Sequence, residues 1–168
     1  MKNLIFQLLR YSIPVLLISL ISCQQKDPSV KLKPLVDKYV EIWNTGNTEG
    51  IEGIIHPDFE LRMAPKFEPE KGIDKFKESV KKWRTIYPDF HITIHEVVYD
   101  VDKAAARWTI TATHTGEGWG PPTGKKVEVM GISIIHFKDG KIKDEWIAGN
   151  NLYWMQQLGY KLVPPSEE

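Results

Sequence analysis

The chain has 168 residues, with 22 basic and 22 acidic side chains, one cysteine and 42% hydrophobic residues. That length suits one domain with a substantial core. A balanced charge argues against a nucleic-acid partner, which needs clustered excess positive charge, and a lone cysteine leaves no internal disulfide.

Met1-Lys2-Asn3 is followed by an apolar run broken at Arg10, then by Ile13-Pro14-Val15-Leu16-Leu17-Ile18-Ser19-Leu20-Ile21-Ser22. Charge first, an apolar middle and a small residue last are the layout of a signal peptide. The apolar run after Arg10 falls short of the roughly 20 residues needed to span a bilayer. Leu20-Ile21-Ser22-Cys23 resembles the bacterial lipobox, which implies cleavage before Cys23 and acylation of that residue. Residues 1–22 are thus predicted to be a lipoprotein signal, and the location a bacterial cell envelope, lipid-anchored to a membrane. Loss of Lys2 and Arg10 leaves 20 basic against 22 acidic residues. Residues 23–30 read as a tether, 31–160 as the domain, and 161–168 as a polar tail.

Pro34 suits a first helical turn, and Leu35, Val36, Tyr39, Val40 and Trp43 then fall at helical spacing. Asn44-Thr45-Gly46-Asn47 ends that helix. A short helix is predicted at 48–55, a brief strand at Phe59–Met63, and a proline-containing loop over 64–71. Ile73, Phe76, Val80 and Trp83 mark another amphipathic helix that stops before Tyr87-Pro88-Asp89. Four runs rich in β-branched and aromatic residues follow, at Phe90–Asp100, Lys103–Thr115, Lys126–Lys138 and Lys141–Asn150. Asp139-Gly140 is a strong hairpin signal between the last two. The glycine-rich loop 116–124 is not a dinucleotide fingerprint, because no helix follows it. Leu152–Leu158 reads as a terminal helix. Helices first and long antiparallel strands after them give an α+β layout.

Three segments carry a resemblance: Ala106-Arg107-Trp108 through His114-Thr115-Gly116, then Pro122-Thr123-Gly124-Lys125, and then Asp139-Gly140-Lys141-Ile142 through Trp146 to Gln156-Gln157-Leu158-Gly159. Together they resemble the SnoaL-like polyketide (ester) cyclases of the nuclear-transport-factor-2-like superfamily. The resemblance implies a cone-shaped α+β barrel, with helices packed on a curved, mostly antiparallel sheet around one pocket. It also implies ring closure by intramolecular aldol condensation without metal or cofactor, with an acidic residue as general acid/base and a histidine assisting. His136 falls at the histidine position. Asn150 falls at the acidic position, where an amide has no proton to exchange near neutral pH.

Strand alternation puts Met130, Ile132, Ile134 and His136 on one face, and Ile142, Asp144, Trp146, Ala148 and Asn150 on one face. If these faces line the pocket, His136 and Asn150 meet near its floor, and Asp144 is the carboxylate available as a substitute acid. The competing readings are a core histidine at His136, a helix cap at Asn150 or Asn151, and a solvated carboxylate at Asp144. Trp43, Trp108 and Trp146 are expected in the core or along the pocket wall, and His114 at the pocket mouth or the strand end. His91 and His95 lie about 13 Å apart along a strand, too far for one zinc, so no metal site is expected. Three functions remain open. The first is a membrane-anchored module holding a small hydrophobic ligand without changing it. The second is a cofactor-independent cyclase, isomerase or lyase acting on a carbonyl-bearing molecule, with His136 as base. The third is self-association into a homodimer through an open sheet face.

Overall fold

The computed structural model describes residues 27–64, 68–118 and 120–164. The predicted signal segment 1–22, the predicted lipidation site Cys23 and the loop residue Trp119 lie outside them. The helix predicted from Pro34 starts earlier: α1 spans Ser29–Thr45 with Pro34 inside it. The Asp27 carboxylate accepts the Ser29 N–H at 2.9 Å, satisfying one of the free donors of the first turn. Gly46 ends α1 in the left-handed conformation, its N–H on the Ile42 carbonyl. The helix expected over 48–55 reduces to a single 3-10 turn, Ile51–Gly53.

The strand expected at Phe59–Met63 extends back to Ile55, giving β1 (Ile55–Met63), and β2 (Glu70–Lys71) pairs with it. Next come α2 (Ile73–Ile86), β3 (His91–Tyr99), β4 (Lys103–Thr113), β5 (Lys126–Lys138), β6 (Lys141–Gly149) and α3 (Asn151–Leu158). Asp139 and Gly140 turn the β5–β6 hairpin with φ of 52° and 72°. Positive φ at both central residues gives a turn whose twist matches the strands it joins.

Among the described residues the fold is α+β, with three α-helices on one six-stranded sheet of order β2-β1-β6-β5-β4-β3. Only β1 and β6 pair in parallel; the other neighbours are antiparallel. One face of the curved sheet meets the helices. Between them sits an aromatic cluster in which Phe76 stacks on Tyr39 at 5.2 Å and meets Trp43 edge-on at 5.2 Å. Trp154 of α3 packs edge-on against Trp83 and Tyr87. These rings bury large areas while leaving a gap above the sheet. Arg84 of α2 ties the end of α1 to the next turn by donating to the carbonyls of Asn44 (2.8 Å), Phe90 (3.0 Å) and Pro88 (2.5 Å).

Candidate functional site

The gap is a cavity of about 340 Å³ between the helices and the inner sheet face. Val36, Tyr39 and Trp43 of α1 wall one side of it, Trp83 of α2 and Trp154 of α3 close it, and Ile92, Trp108, Val129 and Ile135 line the sheet. Glu68, Glu70, Lys82 and Asn151 supply polar groups along the same wall. Pockets of this apolar kind, with a few convergent polar groups, are the usual form of a small-molecule site.

Its buried carboxylate is Glu145, a residue only 5% exposed. The Tyr39 hydroxyl donates to Glu145 Oε2 at 2.6 Å. Burial raises the Glu145 carboxyl above its ordinary value, and the bonded Tyr39 hydroxyl and the nearby Ser133 hydroxyl act the other way. The Tyr39 phenol is itself held well above its usual range, by burial first and then by the adjacent Glu145 charge. Ser133 in turn accepts the Trp108 Nε1–H at 2.9 Å. A buried carboxyl in an apolar setting, bonded to a hydroxyl and with a raised pKa, is equipped to take and return a proton.

Glu145 faces inward because of a bulge. His136 pairs with Asp144 but the next residue, Phe137, pairs with Ile142, so Lys143 is the extra residue on β6. The bulged Lys143 sends its ammonium to the Asp58 carbonyl on β1. Ile142 and Glu145 both point inward across this bulge, whereas Asp144 and Trp146 turn outward. The parity assumed for an unbroken strand is therefore wrong on the stretch that carries the carboxylate. Strict alternation missed Glu145, and it left Tyr39 as one more member of an apolar helix stripe. A signal was present, however. Ile142 and Ile147 are both apolar but five apart, a spacing that one face of a regular strand does not allow.

The predicted site residues divide accordingly. Trp43 and Trp108 line the cavity. Met130, Ile134 and Trp146 do share a face, but it is the outer one: they are 66%, 44% and 47% exposed. The inner face of β5 is carried instead by Val127, Val129, Ser133 and Ile135. His136 and Asp144 meet on the outer face as a bonded pair, Nδ1 to Oδ1 at 2.8 Å, away from the cavity. The Trp146 ring lies under the Arg62 guanidinium at 4.9 Å. Asn150 does not reach His136. Its side chain caps α3, accepting the Tyr153 N–H at 3.0 Å, while neighbouring Asn151 lines the cavity and donates to the Ala64 carbonyl at 2.8 Å. His114 lies neither at the mouth nor on the surface. It is buried with its ring 5.3 Å from Tyr87 and Nδ1 bonded to Thr123. Among the described residues no cluster of three or more His, Cys, Asp or Glu side chains is arranged to hold a metal.

Residues 33–158 match the profile of the SnoaL-like polyketide cyclases. AcmA of Streptomyces galilaeus, an aklanonic acid methyl ester cyclase, is 30% identical over 129 residues, which is 74% of this chain and 88% of AcmA. DnrD of Streptomyces peucetius, with the same described activity, is 28% identical over 129 residues and the same shares of the two chains. Among solved structures, TsrD from Streptomyces laurentii superposes with a TM-score of 0.69 at 25% identity, over 77% of this chain and 96% of its own. A SnoaL-like polyketide cyclase from Agrobacterium tumefaciens shares the fold with a TM-score of 0.64 at 19% identity, over 77% of this chain and 98% of its own.

Proposed function

The chain belongs to the SnoaL-like polyketide cyclase family, with the nuclear-transport-factor-2-like fold, and from that premise we propose that it closes rings in carbonyl-bearing, polyketide-like compounds with Glu145 as the general acid/base. The supporting observation is the buried Glu145–Tyr39 pair inside the apolar cavity. Ionised Glu145 removes a proton from a carbon flanked by carbonyls. The carbanion attacks a second carbonyl carbon of the same molecule, forming the ring C–C bond. The protonated carboxyl then returns the proton to the new alkoxide. One side chain closes the proton balance, and the apolar walls hold the flexible chain folded so that the two carbons meet. The amide at Asn150 removes an acid from the position where the family carries one; Glu145 supplies a carboxyl from another strand position.

Aklanonic acid methyl ester, the compound in the names of two relatives, is the first probe. Glu145→Gln is expected to lower turnover about 10²-fold or more, the usual range for general acid–base catalysis, while His136→Ala leaves it unchanged. Unaltered turnover in Glu145→Gln refutes the assignment. Tight binding of the ester with no conversion by the wild type favours the second reading, a module that holds a hydrophobic ligand unaltered.

Two further features belong to the same proposal. Cys23 carries the lipid that holds the domain at a bacterial membrane, as its lipobox-like setting supports; Cys23→Ala is expected to release the protein from the membrane fraction. The outer sheet face pairs with a second copy, as the exposed Met130, Ile132, Ile134 and Trp146 support. A monomer in sedimentation at micromolar concentration argues against that pairing.

A further inference from the structure

We infer that Tyr39 is a positioning residue that holds Glu145 by Oε2, so that Oε1 is the atom that takes the substrate proton and hands it back. The inference rests on the reading of Glu145 as the acid/base and adds to it the working oxygen and the helix residue that selects it. The flanking strands offer this carboxyl no polar grip. In register Glu145 stands between Leu61 of β1 and Ile135 of β5, both apolar and buried. The grip comes from α1, where Tyr39 donates to Oε2 at 2.6 Å. Among the described residues that are not exposed, the polar side-chain atom both sealed from solvent and unpartnered is His114 Nε2. Glu145 Oε1 accepts no described hydrogen bond, so it is not sealed, and it opens on the cavity that Glu145 lines.

The phenol is fixed by its neighbours. Tyr39 is 2% exposed, its ring stacked on Phe76 at 5.2 Å and 20°, with Phe59 tilted against it at 6.3 Å. Burial and the adjacent carboxylate also keep the phenol in its neutral form. It therefore donates to Oε2 whether Glu145 is charged or protonated. With Oε2 occupied as an acceptor, the proton drawn from the substrate carbon goes to Oε1, and from Oε1 it passes to the new alkoxide oxygen. The other charged groups lining the cavity among the described residues are Glu68 and Glu70, at and before β2, and Lys82 from α2. None of these reaches Glu145 by a described hydrogen bond, and Glu70 is held by the Ser79 hydroxyl. A Tyr39 that served only as packing would leave the Glu145 carbonyl where it is, and this separates the two roles.

The test follows the infrared carbonyl band of protonated Glu145 against pH in the full chain, the band being assigned by its loss in Glu145→Gln. With the proton on Oε1, Oε2 is the carbonyl oxygen, and the phenol bonded to it lowers the band. Tyr39→Phe keeps the stacked ring and removes only the donor. It is expected to raise the band and to move the titration midpoint upward by about one pH unit, the equivalent of one lost hydrogen bond to a charged group. Replacing Tyr39 by 3-fluorotyrosine makes the phenol a stronger donor and a weaker acceptor. Band and midpoint are both expected to fall. If Oε2 carried the proton instead, the phenol would be its acceptor and fluorine would raise the band. A band that stays or rises with 3-fluorotyrosine overturns the inference, whatever Tyr39→Phe does. Turnover keeps the two readings apart: full activity in Glu145→Gln sinks the acid–base role, whereas the band decides the oxygen alone.

Discussion

Gly131→Ala joins the packing of this fold to its site most directly. The added carbon would stand 2.1, 2.4 and 2.7 Å from three carbons of the Trp108 six-membered ring. Ordinary carbon contacts begin at about 3.5 Å, so the ring must retreat by more than about 1 Å. Trp108 is 6% exposed and tied at Nε1 to Ser133, which leaves little room to retreat. Overpacking of this kind costs about 1–3 kcal/mol, and breaking the indole–serine hydrogen bond adds about 1 kcal/mol. The unfolded chain, stiffer with Ala than with Gly, returns about 0.4–1 kcal/mol. The net expectation is a loss of about 2 kcal/mol. At an m-value of about 2 kcal/mol/M this moves the urea midpoint down by about 1 M. Gly149→Ala is the internal control, because its Cβ would sit 3.4 Å from the same ring, an ordinary contact. Urea unfolding of both variants, with near-ultraviolet circular dichroism to report the indole, checks the claim. A Gly131→Ala midpoint within about 0.2 M of wild type, with unchanged aromatic signal, refutes the account of how Trp108 is seated.

Glu145 makes stability depend on pH with a definite sign. Burial raises its pKa in the folded state, so above the unfolded carboxyl value of about 4.3 the folded protein binds the extra proton. Its favourable share is complete below that value and is lost as pH rises through the folded pKa. Glu145→Gln lacks this term, so the variant should gain on wild type in a urea series run upward from pH 4. A constant difference across the series contradicts the burial argument. Arg84→Met strips its donors from the carbonyls of Asn44, Phe90 and Pro88. Lost charged hydrogen bonds of this kind cost about 2–3 kcal/mol, read as a lower thermal midpoint; an unchanged midpoint means that water replaces the guanidinium without penalty.

Helix and strand identities were legible because their signals are local. The stripe Val36, Tyr39, Trp43 and the Asp139-Gly140 turn each act within a few residues, and α2, β5 and the β5–β6 hairpin lie where those signals put them. The SnoaL-like resemblance was legible because its three segments keep their order, and the family match agrees with it. Helix starts were less so: Pro34 fits a first turn, yet the chain is helical from Ser29, whose N–H is satisfied by the Asp27 carboxylate before the helix.

The site was misread for a reason of a different kind. Both faces of β5 are apolar: Val127, Val129 and Ile135 on one, Met130, Ile132 and Ile134 on the other. Hydrophobicity alone therefore cannot say which face meets the helices. What decides it is volume. Gly131 and Ser133 leave space on one face for the Trp108 ring. On β6 the single extra residue Lys143 then turns over everything after it, exchanging Asp144 for Glu145 as the inward carboxyl. Choosing the wrong face of β5 and the wrong phase of β6 gave a consistent pairing, since His136 and Asp144 do touch. They touch on the outside. A bulge preserves the pairing of two strands while changing what they enclose, so cross-strand neighbours can be read correctly and the cavity still be assigned to the wrong side.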